Sequence, residues 1–399
     1  MENFRQLKKE FENELTDNIL NYWIRKVYDP RRGTFYGLVG PDEKPDPAAP
    51  LSAVLITRIL WTFSAAHRLF PTAIYQKMAD EAFRILTTRF WDNENGGVYW
   101  EVSSGGEAVD TSKQFYAQSF ALYGLAEYFR TFGNQQARQL AISLFYLLEK
   151  YAFDPVNGGY GEAVSANWQK PVRKFITPAG EKMNKSMNTH LHLLEAYTNL
   201  LRIWQEDDLK KQIGGLLDIF SNQIINPENH HFHLFFDNDW SVQSTGVSYG
   251  HDIEGSWLLY EAAEVLDDEQ TLRQLKPVLL KMALAAGQEA LHPAGGLFYE
   301  SDGVHRNRDF HWWAQAEAVV GFFNAWQLSG DQQFLNWAEK SWHFIRQHQI
   351  DRQHGEWFSQ VNADLTVAPA PKVSGWKCPY HNGRMCLEMA MRLAKELKN

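Results

Sequence analysis

The sequence predicts an all-α fold: an (α/α)6 barrel of twelve helices, with short β-hairpins in the connecting loops. Two observations lead there. A Gly-then-aromatic signature recurs along the chain, and the stretches between its copies carry helical periodicity. The copies are Gly33-Thr34-Phe35-Tyr36, Gly97-Val98-Tyr99-Trp100, Gly159-Tyr160-Gly161-Glu162, Gly296-Leu297-Phe298-Tyr299 and Gly355-Glu356-Trp357-Phe358. From Gly33 to Gly97 is 64 residues, from Gly97 to Gly159 is 62, and from Gly296 to Gly355 is 59. The gap from Gly159 to Gly296, 137 residues, is about two periods wide. Its middle holds His231-Phe232-His233-Leu234-Phe235-Phe236, a degenerate copy, which makes six units.

Each copy reads as a short hairpin, because turn residues precede an aromatic-rich run. Between them, apolar periodicity supports helices near 4–26, 50–70, 74–90, 112–132, 134–151, 185–205, 206–224, 251–265, 267–287, 310–329, 331–348 and 378–397. Twelve helices in six pairs fit an inner ring wrapped by an outer one. A solenoid also stacks helix pairs. The count of six, and the lack of a polar capping repeat, favour the closed barrel. No Pro/Gly/Ser-rich linker divides the chain, so residues 1–399 read as a single catalytic domain.

The two rings differ in composition. The helix after each hairpin is rich in small and aromatic residues, as in Phe120-Ala121-Leu122-Tyr123-Gly124. The next carries more charge, as in Gln205-Glu206-Asp207-Asp208 through Lys210-Lys211. The helices starting near 50, 112, 185, 251, 310 and 378 are therefore expected inside, with their N-terminal ends at one mouth. Pro379 suits the first position of the last helix, where a missing N–H costs nothing. His381 then falls in the first turn, where the positive end of the helix dipole favours neutral imidazole over imidazolium.

Composition narrows the function. The chain is 44% hydrophobic and 22% charged, which suits a globular protein with a large core. A net charge of −9 argues against nucleic acid or an anionic membrane as partner. The two cysteines, Cys378 and Cys386, are too far apart on one helix to bridge. No run approaches a membrane span, and the first residues lack a signal-peptide core, so a cytoplasmic location is expected. A monomer is expected, with a dimer as the alternative. The excess of aromatics, 15 Trp, 16 Tyr and 25 Phe, fits a carbohydrate site as well as a core.

Residues with chemistry to offer collect on the inner helices. Arg58 sits amid Ile56, Ile59 and Leu60, where a charge needs a ligand or a partner carboxylate. Tyr116 lies near the start of its helix. Asn188, His192 and Glu195 make a polar stripe. His251 and Glu254 follow Gly250; Trp312, Trp313 and Glu317 open the next inner helix; Trp376 and His381 complete the set. Plain structural roles compete with each of these. Arg58 could bridge a structural carboxylate, His192 could be a hydrogen-bonded core residue, and Glu254 could simply complement a helix N-terminus. His190 and His192 point to different faces, and the run His230, His231, His233 lacks zinc-like spacing, so no metal is expected. Three histidines aimed at one cavity from three helices are harder to explain structurally.

These residues also carry a resemblance. Asn188-Thr189-His190-Leu191-His192-Leu193-Leu194-Glu195-Ala196, Gly250-His251-Asp252-Ile253-Glu254, His311-Trp312-Trp313-Ala314-Gln315-Ala316-Glu317 and Trp376-Lys377-Cys378-Pro379-Tyr380-His381-Asn382-Gly383-Arg384 resemble the N-acylglucosamine 2-epimerase superfamily. The Trp-Lys-Cys-Pro-Tyr-His-Asn form of the last motif looks most like the branch acting on cellobiose. The likeness spans nearly the whole chain and implies an (α/α)6 barrel.

The resemblance implies epimerisation at C2 of the reducing-end glucose of a β-1,4-linked disaccharide or oligosaccharide, through ring opening and an enediolate. His381 and His251 would then be acid and base on opposite faces. His192 would assist ring opening or donate to the oxyanion, and Arg58 would stabilise it. Glu254 would orient His251. Tyr116 and Asn188 would hold hydroxyls, Trp312 and Trp376 would stack on sugar rings, and Trp313 and Glu317 complete the substrate set. No cofactor is needed. The same superfamily offers N-acylglucosamine 2-epimerase and aldose–ketose isomerase activities as alternatives. From other classes, an (α/α)6 glycoside hydrolase would need two flanking carboxylates, with Glu254 and Glu317 the conceivable pair. A non-catalytic sugar-binding protein would need the aromatics but not His251 and His381.

Overall fold

A computed structural model describes residues 2–170 and 184–398. Among them stand twelve α-helices: α1 Glu2–Asn13, α2 Ala53–Leu69, α3 Ala73–Ile85, α4 Phe115–Phe132, α5 Gln135–Tyr151, α6 Met187–Leu201, α7 Asp207–Ile219, α8 Tyr249–Leu266, α9 Glu269–Ala290, α10 Trp312–Ser329, α11 Gln332–Phe344 and α12 Tyr380–Glu396. α1, α3, α7 and α11 run on into π-helical turns that end at Val27, Phe90, Ile224 and Gln349. Among the described residues, no helix is long and apolar enough to cross a membrane.

The even-numbered helices form the inner ring, and their contacts make a closed circuit. α2 packs on α4, α4 on α6, α6 on α8, α8 on α10, α10 on α12, and α12 back on α2. A solenoid has no such return contact. The odd-numbered helices pack outside them, with α1 against α12. Burial separates the rings. Every residue from Ala53 to Ala66 of α2 is buried. In α5 only Ala137, Ala141, Leu144, Phe145 and Leu148 are, the single stripe of a helix with one wet face. Close approach within the inner ring requires glycine. A Cβ at Gly124 of α4 would lie 2.7 Å from the Thr57 carbonyl oxygen of α2, and one at Gly321 of α10 would lie 2.6 Å from that of Ile253 in α8.

All six hairpins form. Tyr28–Asp29 pairs with Thr34–Phe35. Single bridges join Trp91 to Val98, Phe153 to Tyr160, Ile225 to Phe232, Leu291 to Leu297, and Ile350 to Trp357. In the degenerate fourth copy His230 takes the left-handed turn (φ 62°) that Gly96 and Gly158 take in the second and third. The fourth residue of an inner helix then braces a hairpin. Gln118 bonds both backbone groups of Val98 (2.8 and 2.7 Å), and Gln315 does so with Leu297 (2.7 and 2.8 Å). His190 Nε2 accepts from the Tyr160 N–H at 2.9 Å, and Asp252 from that of Phe232 at 2.8 Å. Hairpins and inner-helix N-termini therefore share one mouth of the barrel.

One local expectation needs correction. α12 begins at Tyr380, and Pro379 (φ −78°, ψ 13°) occupies the capping position rather than the first helical one. Proline still suits it, since its absent N–H leaves no donor to satisfy.

Candidate active site

Position along the inner helices decides what reaches the mouth. Tyr116 and Asn188 are second in α4 and α6, Trp312 and Trp313 open α10, His381 is second in α12, and His251 is third in α8. Arg58, His192 and Glu254 are each sixth in their helices, one turn deeper. These residues, with Trp376 from the loop before α12, line one cavity of about 210 Å³. Tyr299 and His311 complete its wall, their rings stacked at 3.8 Å. Neither is among the candidate site residues of the sequence: Tyr299 belongs to a hairpin copy, and His311, read as part of a helix over 310–329, instead pairs with Gln360 as a strand. Glu317 is the exception among the expected substrate-contacting residues. It does not line the cavity but stands one layer behind, 1% exposed, against His381.

His381, His192 and His251 are each held at Nδ1. His381 Nδ1 lies 2.8 Å from Glu317 Oε1, and His192 Nδ1 lies 3.0 Å from Glu195 Oε2. His251 Nδ1 lies 2.7 Å from the Ser248 hydroxyl. This differs from the expected Glu254–His251 pair. The Glu254 carboxylate turns instead to Arg384 (2.5 Å) and lies 3.9 Å from His381 Nδ1. All three rings are pushed toward the neutral form. Burial lowers His251 to about 3, with His192 and Arg58 adding to it. Burial, then Arg58 and Arg384, holds His381 well below the ordinary value. Burial also lowers His192, against the pull of Glu195. Trp313 packs against two of these rings, 4.6 Å from His251 and 5.7 Å from His381.

Arg384 is the hub behind the cavity. Its Nη2 donates to Glu254 (2.5 Å) and Glu317 (2.7 Å), and its Nη1 donates to Glu195 and, at 2.6 Å, to Tyr380 Oη. Burial alone would raise Glu195, but Arg384, His192 and Tyr380 hold it down at about 2. Glu254 and Glu317 are raised, by burial first, and for Glu254 also by the charge of Glu317. Oxygens of Glu254 and Glu317 and a nitrogen of His381 lie within 4.8 Å of one another, close enough to hold a metal ion. The Arg384 guanidinium already supplies the positive charge between the two carboxylates. The donor set therefore does not call for a metal.

Arg58 has no carboxylate within ion-pair distance among the described residues. Its Nη2 donates to Tyr116 Oη at 2.8 Å, and its guanidinium lies over the rings of Phe120 (4.2 Å) and Tyr380 (4.9 Å). Of the two readings of this buried cation, the structural carboxylate bridge drops out. Arg58 Nε, Asn188 Oδ1, Glu254 Oε2 and Trp312 Nε1 are buried with no partner among the described residues. Four unspent hydrogen-bonding atoms around a small cavity suit a ligand rich in hydroxyls. At the rim Trp376 is 47% exposed, 5.9 Å from Trp100 and 5.6 Å from Tyr116.

Two further histidines are occupied elsewhere. His190 bonds Ser186 O at 2.7 Å besides bracing the Tyr160 hairpin. His231 bridges Asp252 (2.7 Å) and Glu289 (3.2 Å). A larger cavity, about 1100 Å³, opens at the opposite mouth. Most of the charges in its wall are already paired, as in Arg68–Glu127 and Arg202–Glu261, which tie neighbouring inner helices together. It holds none of the histidines.

Residues 33–383 match the family model of N-acylglucosamine 2-epimerase (GlcNAc 2-epimerase). Cellobiose 2-epimerase of Bacteroides fragilis is 44% identical over 386 residues, 96% of this chain and 98% of that protein. Cellobiose 2-epimerase of Dictyoglomus turgidum is 37% identical, over 97% and 99% of the two chains. The solved structure of cellobiose 2-epimerase from Bacillus thermoamylovorans B4167 superposes with a TM-score of 0.94 at 36% identity, covering 97% of this chain and 100% of that one.

Proposed function

The chain belongs to the N-acylglucosamine 2-epimerase family, and from that premise we propose that it interconverts C2 epimers at the reducing end of β-1,4-linked disaccharides. Cellobiose would give glucosyl-mannose, and lactose would give epilactose. The observation that carries this reading is the pairing of His381 and His251, from α12 and α8, in one small cavity with Trp313 against both.

The chemistry follows from what C2 requires. The reducing-end ring opens to an aldehyde, which acidifies the C2 proton. His192, its Nδ1 held by an ionised Glu195, presents Nε2 to assist ring opening. One histidine removes the C2 proton and leaves a planar enediolate. Arg58, with no carboxylate of its own, stabilises the oxyanion. The other histidine delivers a proton to the opposite face. Burial leaves both rings neutral in the free site, so the pair takes up one proton from solvent when substrate binds; each turnover moves that proton from one ring to the other, and exchange with solvent resets it. We assign the base for glucose-ended substrate to His381, since Glu317 accepts its Nδ1–H and leaves the Nε2 lone pair free. His251 is then the acid, and the roles reverse for the mannose-ended epimer.

Incubation with cellobiose in heavy water tests the reading. The expected product is the C2 epimer with deuterium at C2, and His381→Ala and His251→Ala each abolish it. A ketose would move the assignment to an isomerase, and free glucose to a hydrolase. A product that keeps its original C2 hydrogen throughout rules out the two-histidine route.

A further inference from the structure

We propose that Ser248 is a positioning residue that sets the tautomer and orientation of His251; this rests on His251 being one of the two acid–base groups. Three inner helices start at equivalent serines. Ser52, Ser186 and Ser248 each end a two-residue strand and each precede the first residue of α2, α6 and α8. Ser52 and Ser186 cap in the usual way, their hydroxyls accepting from the backbone N–H three residues on, Leu55 at 3.0 Å and Thr189 at 3.2 Å. Ser248 makes no capping bond. Its hydroxyl turns to the side chain of the residue it would have capped and lies 2.7 Å from His251 Nδ1. The helix forgoes a capping hydrogen bond there, and the imidazole gains an anchor.

The anchor is itself fixed. Ser248 pairs with Glu300 across an antiparallel strand, next to the cavity residue Tyr299. The His251 ring is thus clamped between Ser248 Oγ on its edge and Trp313, with Nε2 the only ring nitrogen without a partner among the described residues. With Oγ accepting Nδ1–H, Nε2 is the nitrogen that gains and loses the proton. A hydroxyl also differs from the carboxylates behind His381 and His192. It adds no negative charge, so a protonated His251 is less stabilised and gives its proton up more readily.

Three readouts test this. In ¹⁵N-histidine-labelled protein, His251 is expected to show protonated Nδ1 and bare Nε2. Ser248→Ala should turn that signal into a mixture of tautomers, with the signals of His192 and His381 unchanged. This measurement does not depend on the substrate being cellobiose. In kinetics, Ser248→Ala should lower kcat ten-fold or more with KM within about two-fold, and Ser248→Thr should restore most of it. Melting separates positioning from capping: Ser186→Ala should lower Tm by several degrees, Ser248→Ala by much less. A His251 tautomer unaltered by Ser248→Ala, or a kcat loss that Thr does not rescue, overturns the proposal. If wild-type enzyme makes no epimer while the tautomer shift is seen, the reaction is misassigned and the positioning stands.

Discussion

His381 Nδ1 and Arg384 Nη2 meet the same carboxylate oxygen, Glu317 Oε1, at 2.8 and 2.7 Å. The guanidinium keeps that carboxylate in place, and the carboxylate fixes which nitrogen of His381 carries hydrogen. Glu317→Gln should therefore cost activity without moving the substrate. Arg384 would keep the amide oxygen at the Oε1 position, where a neutral carbonyl holds the Nδ1–H more weakly than a carboxylate, and the NH₂ would be left facing the Trp257 indole N–H that Glu317 Oε2 now accepts from at 3.1 Å. We expect kcat to fall by about a hundred-fold or more, the range of a lost general base, with KM nearly unchanged. A kcat within three-fold of wild type would mean the carboxylate does not govern the base.

Arg58→Lys removes a planar fork and leaves a point charge. The Tyr116 bond and the stacking on Phe120 and Tyr380 both depend on guanidinium geometry. Loss of one oxyanion donor costs about 10²–10³ in kcat, and a fall of that order is expected. Near-normal turnover would return Arg58 to a packing role.

Trp376 stands at the rim, 47% exposed, where on the proposed reaction it would touch the sugar in ground and transition states alike. Trp376→Ala should raise KM about two- to ten-fold, the worth of one aromatic contact, and leave kcat within about two-fold. Trp312→Ala should follow the same pattern. A loss confined to kcat would show that these rings shape the transition state instead.

Stability should depend on pH through His231. Burial pulls its pKa down, but hydrogen bonds and charge from Asp252 and Glu289 outweigh that and raise it from 6.5 to about 8. A raised folded-state value stabilises fully below pH 6.5, and that contribution disappears as pH climbs through 8. It amounts to at most about 2 kcal/mol, less for screening at the half-exposed Glu289. Urea unfolding at pH 6 and pH 9 should show the difference, and His231→Gln should flatten it. An equal pH dependence in that variant would place the titration elsewhere.

The barrel was legible because its signals repeat. Even the fourth hairpin could be placed by period alone, although a histidine takes its glycine's turn. Helix starts were misplaced in a consistent way. α2, α4, α6 and α10 begin two or three residues later than periodicity suggests, because Leu51–Ser52, Lys113–Gln114, Lys185–Ser186 and Phe310–His311 are paired as strands. The site divided similarly. His192 and Asn188 were readable as a polar stripe on one helix. Glu317 was placed at the substrate because α10 is buried on nearly every side, so periodicity could not say which residue stands in front. Ser248 lies outside the periodic stretch read as a helix, and Tyr299, just before the strand Glu300–Ser301, and His311, at the end of Phe310–His311, are placed by pairing that only the tertiary structure aligns. Arg384 lay within a motif, but its three carboxylate partners are scattered over α6, α8 and α10.

That scatter bears on the order in which the polypeptide is made. The three acids emerge from the ribosome first, and the counter-charge that lets them be buried arrives only with α12. Until then, closing the ring would trap three carboxylates against one another, at several kcal/mol for each unpaired charge. A nascent or truncated chain lacking α12 is thus denied both His381 and a stable interior. On the proposed reaction α12 completes the acid–base pair and the buried charge balance in the same step, so an incompletely translated copy is expected to be an open, protease-sensitive chain rather than a folded but idle enzyme.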